Sequence, residues 1–295
     1  MSESNSQLVL EPLSRLRRNR SLADAIIETV QEVEPPVTIR QLFYALQSRG
    51  RIALTRQAYR QVQHLTAWLR YEGVIPYDWF VDRTRRPDEL STWADSTDYL
   101  DTVRQAYRKN LWEGQSDYVE IWLEKDALSS FFANITRQYL VTLMVCRGFS
   151  SISFLYEAAM DLSRIEKPIY IYFFGDHDPS GRNIESKVVE SLGRHGVELD
   201  EFLRVAILPE DIEEYKLPPA LAKKSDPRYS KFVQEYGTNA VELDALPPKE
   251  LRKRISDCIV QHIDVDEWRR LRVIEKEEQA LLARIADQFP SGGRT

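Results

Sequence analysis

Between residues 119 and 208, four short apolar runs alternate with stretches of helical periodicity. The runs at 119–123, 141–145, 168–174 and 202–208 are rich in β-branched and aromatic residues and read as strands. The intervening stretches read as helices over 125–139 and 152–165, with a third starting near Gly181. Strands that alternate with helices need crossover connections, so this pattern predicts a parallel sheet flanked by helices. In such a sheet the ligand crevice lies at the carboxyl ends of the strands.

Carboxylates stand at two of those ends. The first strand runs into WLEKDAL, which supplies Glu124, and the third into FFGDHDPSG, which supplies Asp176 and Asp178. In an extended segment, residues two apart point the same way, so Asp176 and Asp178 are expected to face one side. Oxygen ligands of this kind suit Mg²⁺, or Mn²⁺ in its place, and such an ion stabilises charge in phosphoryl transfer. A lone DxD in a loop is commonly just solvated. The order of the acids, their strand context and the Pro-Ser-Gly turn into a helix favour the metal reading.

The N-terminal part has a different character. The segment 21–33 reads as a helix that ends before Pro35-Pro36. Thr38 and Gln41 have capping-box spacing and open a second helix, closed by Gly50. Thr55 can cap a third, which runs to about Tyr71 and stops at Gly73. The run VIPYDWFVD suits a strand of a wing, which completes a winged helix-turn-helix with the third helix as recognition element.

Charge supports a polyanionic partner locally, although the chain as a whole carries −6. Residues 1–90 hold 13 arginines, no lysine and 11 acids, a net of +2, which leaves −8 for the remainder. No acid occurs from Pro35 to Tyr71, a stretch that contains Arg40, Arg49, Arg51, Arg56, Arg60 and Arg70. Arg56, Arg60 and His64 are spaced to share one helix face, while Ala58, Val62, Leu65 and Leu69 form an apolar stripe elsewhere. A local cationic face is what phosphate binding needs. A solvated helix face or a protein interface would use the same arginines.

The motifs together resemble a known family. LEKDAL and GDHDPSG are similar to the two motifs of the TOPRIM fold, and the DxDPxG form resembles the A subunit of topoisomerase VI and the related meiotic double-strand-break proteins. VELDALPPKEL resembles the C-terminal part of that family. Its CAP-like winged helix carries a catalytic tyrosine in the motif Arg-Glu-Ile-Tyr-Tyr; here Arg40-Gln41-Leu42-Phe43-Tyr44 stands in that place, with Gln for Glu and Phe for the first Tyr. The resemblance covers about residues 20–260, with both domains in family order. It implies that Tyr44 is the nucleophile, assisted by Arg40, and that Glu124 serves both metal and proton transfer. It also implies a homodimer in which the tyrosine of one protomer meets the metal site of the other. The chain has no P-loop, so an ATPase would be a separate subunit, as for a free-standing mini-A member.

The helical wheel adds an expectation for Tyr44. Ile39, Leu42, Phe43 and Leu46 cluster within about 100° of arc. Tyr44 falls outside that arc, near Arg40, and is expected to be exposed on the polar flank. There it could be a nucleophile, or a surface tyrosine that touches DNA phosphate.

The expected fold is α/β plus α+β: an arm at 1–18, a winged-helix domain at 19–90, a connector at 91–117, a TOPRIM domain at 118–265, and a C-terminal helix and tail at 266–295. The expected function is Mg²⁺-dependent cleavage of double-stranded DNA through a 5′-phosphotyrosyl link. A hydrolytic TOPRIM endonuclease of a plasmid- or phage-defence type and a non-catalytic DNA-binding subunit are the alternatives. Expected DNA contacts are Arg49, Arg51, Arg56, Arg60 and His64. No apolar stretch approaches the ~18 residues of a membrane span. The first residues lack a secretory h-region, and Cys146 and Cys258 read as free thiols, so the expected location is cytoplasmic.

Overall fold

The computed structural model describes residues 16, 19–80, 91–146, 152–220, 226 and 228–287. Apart from Leu16, the expected arm lies outside the described residues, as do 81–90 and everything after 287.

Three helices form the first unit: α1 (Arg20–Glu32), α2 (Ile39–Ser48) and α3 (Arg56–Tyr71). Their starts follow from local chemistry. The Thr38 hydroxyl accepts from Gln41 N–H at 3.1 Å while the Gln41 side chain accepts from Thr38 N–H at 2.9 Å, a complete capping box. Thr55 accepts from Ala58 N–H and opens α3. Gly50 and Gly73 take positive φ after α2 and α3, a conformation that costs glycine little. Ile26, Val30, Leu42, Leu46, Val62 and Leu69 are buried together as the core of this unit.

The expected wing strand is not formed over the described part of its run. Tyr77–Trp79 is a 3₁₀ turn, closed by Trp79 N–H on the Pro76 carbonyl, and Phe80 makes one isolated parallel bridge to Val37. Pro76 has no N–H to give a ladder, which favours the turn over a strand.

A helix, α4 (Ser96–Ala106), capped by Asp95, lies in the connector. The second unit then holds four parallel strands, β1 (Tyr118–Leu123), β2 (Thr142–Val145), β3 (Ile169–Phe174) and β4 (Glu201–Ala206), in the order β2-β1-β3-β4. Crossover helices are α5 (Ser129–Thr136), α6 (Ile152–Leu162) and α7 (Pro179–Arg194). The expected helix over 125–139 is α5 with a 3₁₀ turn at each end.

Alternating side chains feed two cores. Ile121, Leu123, Tyr172 and Phe174 pack under Phe131, Phe132 and Ile135 of α5 and under Leu251 and Ile255 of a later helix. Trp122, Ile171 and Phe173 pack against Leu155 and Ala159 of α6 and Ile184 and Val188 of α7. Full burial of a large apolar side chain contributes roughly 1.5–3 kcal/mol, so the sheet is fixed from both faces. Short helices α8 (Pro209–Glu214) and α9 (Tyr229–Tyr236) precede α10 (Pro248–Val260) and α11 (Val265–Asp287). Among the described residues, no helix is long and apolar enough to cross a membrane.

The two units meet through α2 and the 3₁₀ turn Leu243–Ala245. Arg252 on α10 reaches across to the backbone after α1, where its guanidinium donates to the carbonyls of Val33, Glu34 and Pro36.

Candidate active site at the sheet switch point

The chain leaves β1 toward β2 on one side and β3 toward β4 on the other, so the crevice between the ends of β1 and β3 is the topological switch point. Glu124 follows β1 and extends its pairing with β3: its N–H donates to the Phe174 carbonyl at 2.9 Å. Its Oε2 accepts from Asp176 N–H at 2.8 Å. Asp176 Oδ1 accepts from Leu243 N–H at 2.7 Å, and Asp178 Oδ1 caps α7 by accepting from Gly181 N–H at 2.7 Å. Each acid thus has one oxygen tied down, and the other makes no hydrogen bond to a described residue.

Two glycines let this loop close. A Cβ on Gly175 would meet Glu124 Oε2 at 2.7 Å, and one on Gly181 would meet the same oxygen at 2.8 Å as well as the Asp176 carbonyl. Arg204 supports the loop from below. It is buried, and its Nη2 donates to the carbonyls of Gly175 at 3.0 Å and Asp176 at 2.5 Å, while Nη1 pairs with Glu185 at 2.7 Å. A register shift in the β3–β4 ladder sits beside it, between Phe173 and Phe174.

Burial and the charges of Asp176 and Asp178 push the Glu124 carboxyl up to about 8. Burial also raises Asp176, to about 6, against the pull of Lys125. His177, between the acids, is held down to about 4 by burial and by Arg182 and Arg204, so it is neutral; its ring lies against Phe232 and Tyr236. Hard oxygen donors with one free oxygen each fit a divalent cation in kind. Among the described residues, however, no three such side chains come together as a ready-made metal cage.

Three residues outside the sequence reading complete the site. Lys125 Nζ lies 2.8 Å from Glu242, 2.5 Å from Asp244 and 3.8 Å from Asp176. Burial opposes its charge, but Asp244, Asp176 and Glu242 outweigh burial and raise its pKa above the lysine value. Asp244 is buried, and its Oδ1 has no hydrogen-bond partner among the described residues. The available signal was the alternation of acids with apolar residues in VELDAL, where period-two acids imply one polar face. Arg204 could have been flagged as a charge inside an otherwise apolar strand.

Tyr44 is not exposed. It retains 7% of its accessible surface and packs beside Phe43, with ring centroids 5.6 Å apart. The wheel of α2 found the face that meets α1 and α3 but could not reveal that the second unit covers the next face. Burial and Glu242 push the Tyr44 phenol up to about 12 in spite of Arg40. Arg40 pairs with Glu242 at 2.9 Å, and Arg40, Tyr44, Arg56, Tyr59 and Glu242 line one cleft of about 340 Å³. Tyr44 therefore borders the acidic network of its own chain.

Sequence comparison adds no family: no protein-family model and no curated protein matches the chain.

The expected DNA contacts fall into two groups. Arg56, Arg60 and His64 are exposed along α3. Arg49 and Arg51 instead pair with Glu32 at 2.8 Å and Glu28 at 3.4 Å on α1. Such exposed pairs contribute little, roughly 0–1 kcal/mol, so both arginines can exchange partners.

Proposed function

We propose that this chain is a divalent-cation-dependent protein that cleaves the backbone of double-stranded DNA, with the acidic crevice as its catalytic centre. The observation that carries the reading is the arrangement of Glu124, Asp176 and Asp178 at the sheet switch point, each with one oxygen committed and one free. Carboxylates in such numbers repel phosphate unless a cation stands between, so a pure DNA binder gains nothing from them. The exposed Arg56, Arg60 and His64 of α3 are the DNA contacts in this reading, and the first unit acts as a winged-helix-like reader.

The three acids would hold Mg²⁺ or Mn²⁺, which when bound supplies positive charge at the reacting phosphate. Arg40 and Lys125 add fixed positive charge beside it. Glu124, whose Oε1 has no hydrogen-bond partner among the described residues and whose carboxyl a bound cation would ionise, is the group we assign as proton acceptor. Water is the attacking group that the site favours, because Tyr44 is buried and its phenol is held protonated.

A second reading retains Tyr44 as nucleophile, in a homodimer with a separate ATPase, as the family resemblance implies. It is favoured by the cleft that Tyr44 shares with Arg40 and Arg56.

Supercoiled plasmid incubated with the protein in Mg²⁺, Mn²⁺ or EDTA tests the shared core of both readings. Cutting is expected with either metal, none in EDTA, and none by Asp176→Ala protein that still binds DNA. Full cutting in EDTA would remove the metal-dependent reading.

A further inference from the structure

Glu242 uses a single oxygen to bind two cations from two different units. Its Oε2 lies 2.9 Å from Nε of Arg40 on α2 and 2.8 Å from Nζ of Lys125 beside the sheet. We infer that Arg40 and Lys125 form a seat for one backbone phosphate of DNA, and that Glu242 fills this seat until DNA arrives. The inference rests on the DNA-binding part of the function proposed above.

The chemistry of the seat favours an anion with a tetrahedral set of oxygens. A guanidinium and an ammonium converge on one point, and an arginine fork suits phosphate as well as carboxylate. Glu242 is a flexible, half-buried side chain that retains 22% of its exposure, so it can leave without unpacking a core. Lys125 would not be stranded by its departure, because Asp244 remains 2.5 Å away. The seat also opens outward, since Arg40 and Glu242 line the same cleft as Arg56 at the exposed start of α3. A strand that crosses from Arg56 toward the acids would pass over it, and Lys125, 3.8 Å from Asp176, would bring the bound phosphate to the edge of the acidic crevice.

A purely structural role for Glu242, as a latch between units, predicts something different. Loss of a latch lowers stability and leaves DNA affinity unchanged. Loss of a stand-in for phosphate raises DNA affinity, and only while the cations it occupied are present.

The test is a fluorescence titration of labelled duplex DNA with the full chain in EDTA, over a range of salt. Glu242→Gln should bind several-fold more tightly than the parent. Its plot of log affinity against log salt should keep the parent's slope, because the same phosphate is bound and only its competitor is gone. The gain should disappear in the Arg40→Gln/Glu242→Gln double variant. Unchanged or weaker binding by folded Glu242→Gln, or a gain that survives Arg40→Gln, would overturn the seat. If Glu242→Gln does not fold, Arg40→Gln alone decides: the parent's salt slope should fall by about 1, and an unchanged slope overturns the inference. Because EDTA prevents metal-dependent cutting, a chain that shows the seat but never cuts in metal would defeat the cleavage reading alone. A parent chain that binds no duplex would defeat both.

Discussion

The carboxylate of Glu124 accepts a hydrogen bond from the backbone N–H of Asp176 at 2.8 Å, so the ends of β1 and β3 are joined by a side chain as well as by the ladder. The bond requires Gly175 and Gly181 to stay bare on either side of one oxygen.

Gly181→Ala should therefore cost roughly 1–3 kcal/mol, the usual penalty for a group forced into occupied space. It should also weaken any Mg²⁺-induced rise in melting temperature. Gly193→Ala is the contrast: its Cβ meets nothing within 4 Å in the same helix, so it should be neutral or stabilise by about 0.5–1 kcal/mol. Urea denaturation of the two variants checks the pair, and equal effects would contradict the account.

Tyr44→Phe should leave stability within about 1 kcal/mol of the parent, because the ring packing is kept. Under the water reading, the variant should still cut plasmid in Mn²⁺, and a denaturing gel should show no DNA attached to protein. Loss of cutting, together with a covalent adduct in the parent, would transfer the role of nucleophile to Tyr44.

Arg204→Met removes the donors to the carbonyls of Gly175 and Asp176 and leaves the partly buried Glu185 without its closest cation. A loss of roughly 3 kcal/mol is expected. Backbone amide exchange should rise around 175–178 before it rises in β1. Uniform acceleration throughout the sheet would show that Arg204 supports the whole unit and not this loop.

Burial pushes the Cys258 thiol up to about 12, while an unfolded cysteine titrates near ~8.5. The folded state thus favours the thiol. Its contribution to stability is complete below ~8.5 and is lost as pH rises toward the folded value. Native protein should be nearly inert to a thiol reagent at pH 8, since Cys146 is buried too, and unfolding should release both cysteines. Prompt reaction of Cys258 in the native state would contradict its burial.

Arg252→Ala removes three donations to the backbone that follows α1 and a guanidinium 5.0 Å over the Phe131 ring. About 2 kcal/mol should be lost. Hydrogen exchange should accelerate in α1 and α2 while β1 and β3 stay protected. If every element accelerates together, the two units unfold as one.

Much of this was legible because it is local. Thr38 with Gln41, Thr55 before α3, and Asp178-Pro179 at the start of α7 are decided by neighbours in sequence. The central strands β1 and β3 were readable because their side chains are buried on both faces. What escaped was set at a distance. The wheel of α2 carries no trace of Leu243–Ala245, so Tyr44 read as exposed. The pairing of Arg40 with Glu242 spans two units, and nothing near either residue announces it. Over the described part of the wing run, the turn in place of a strand has a local reason, the missing N–H of Pro76.

The Leu243 N–H that holds Asp176 comes from 67 residues downstream, and His177 bridges to Val241 in the same way. These contacts close a long loop, whose entropic cost is met only after nearer pairings are in place. A chain emerging from the ribosome can therefore pair β1, β2, β3 and β4 while the acidic loop still lacks its final tether. The order of synthesis therefore leaves the acidic loop without its last tether until all four strands have been made, so the sheet can exist before the loop at its end is fixed.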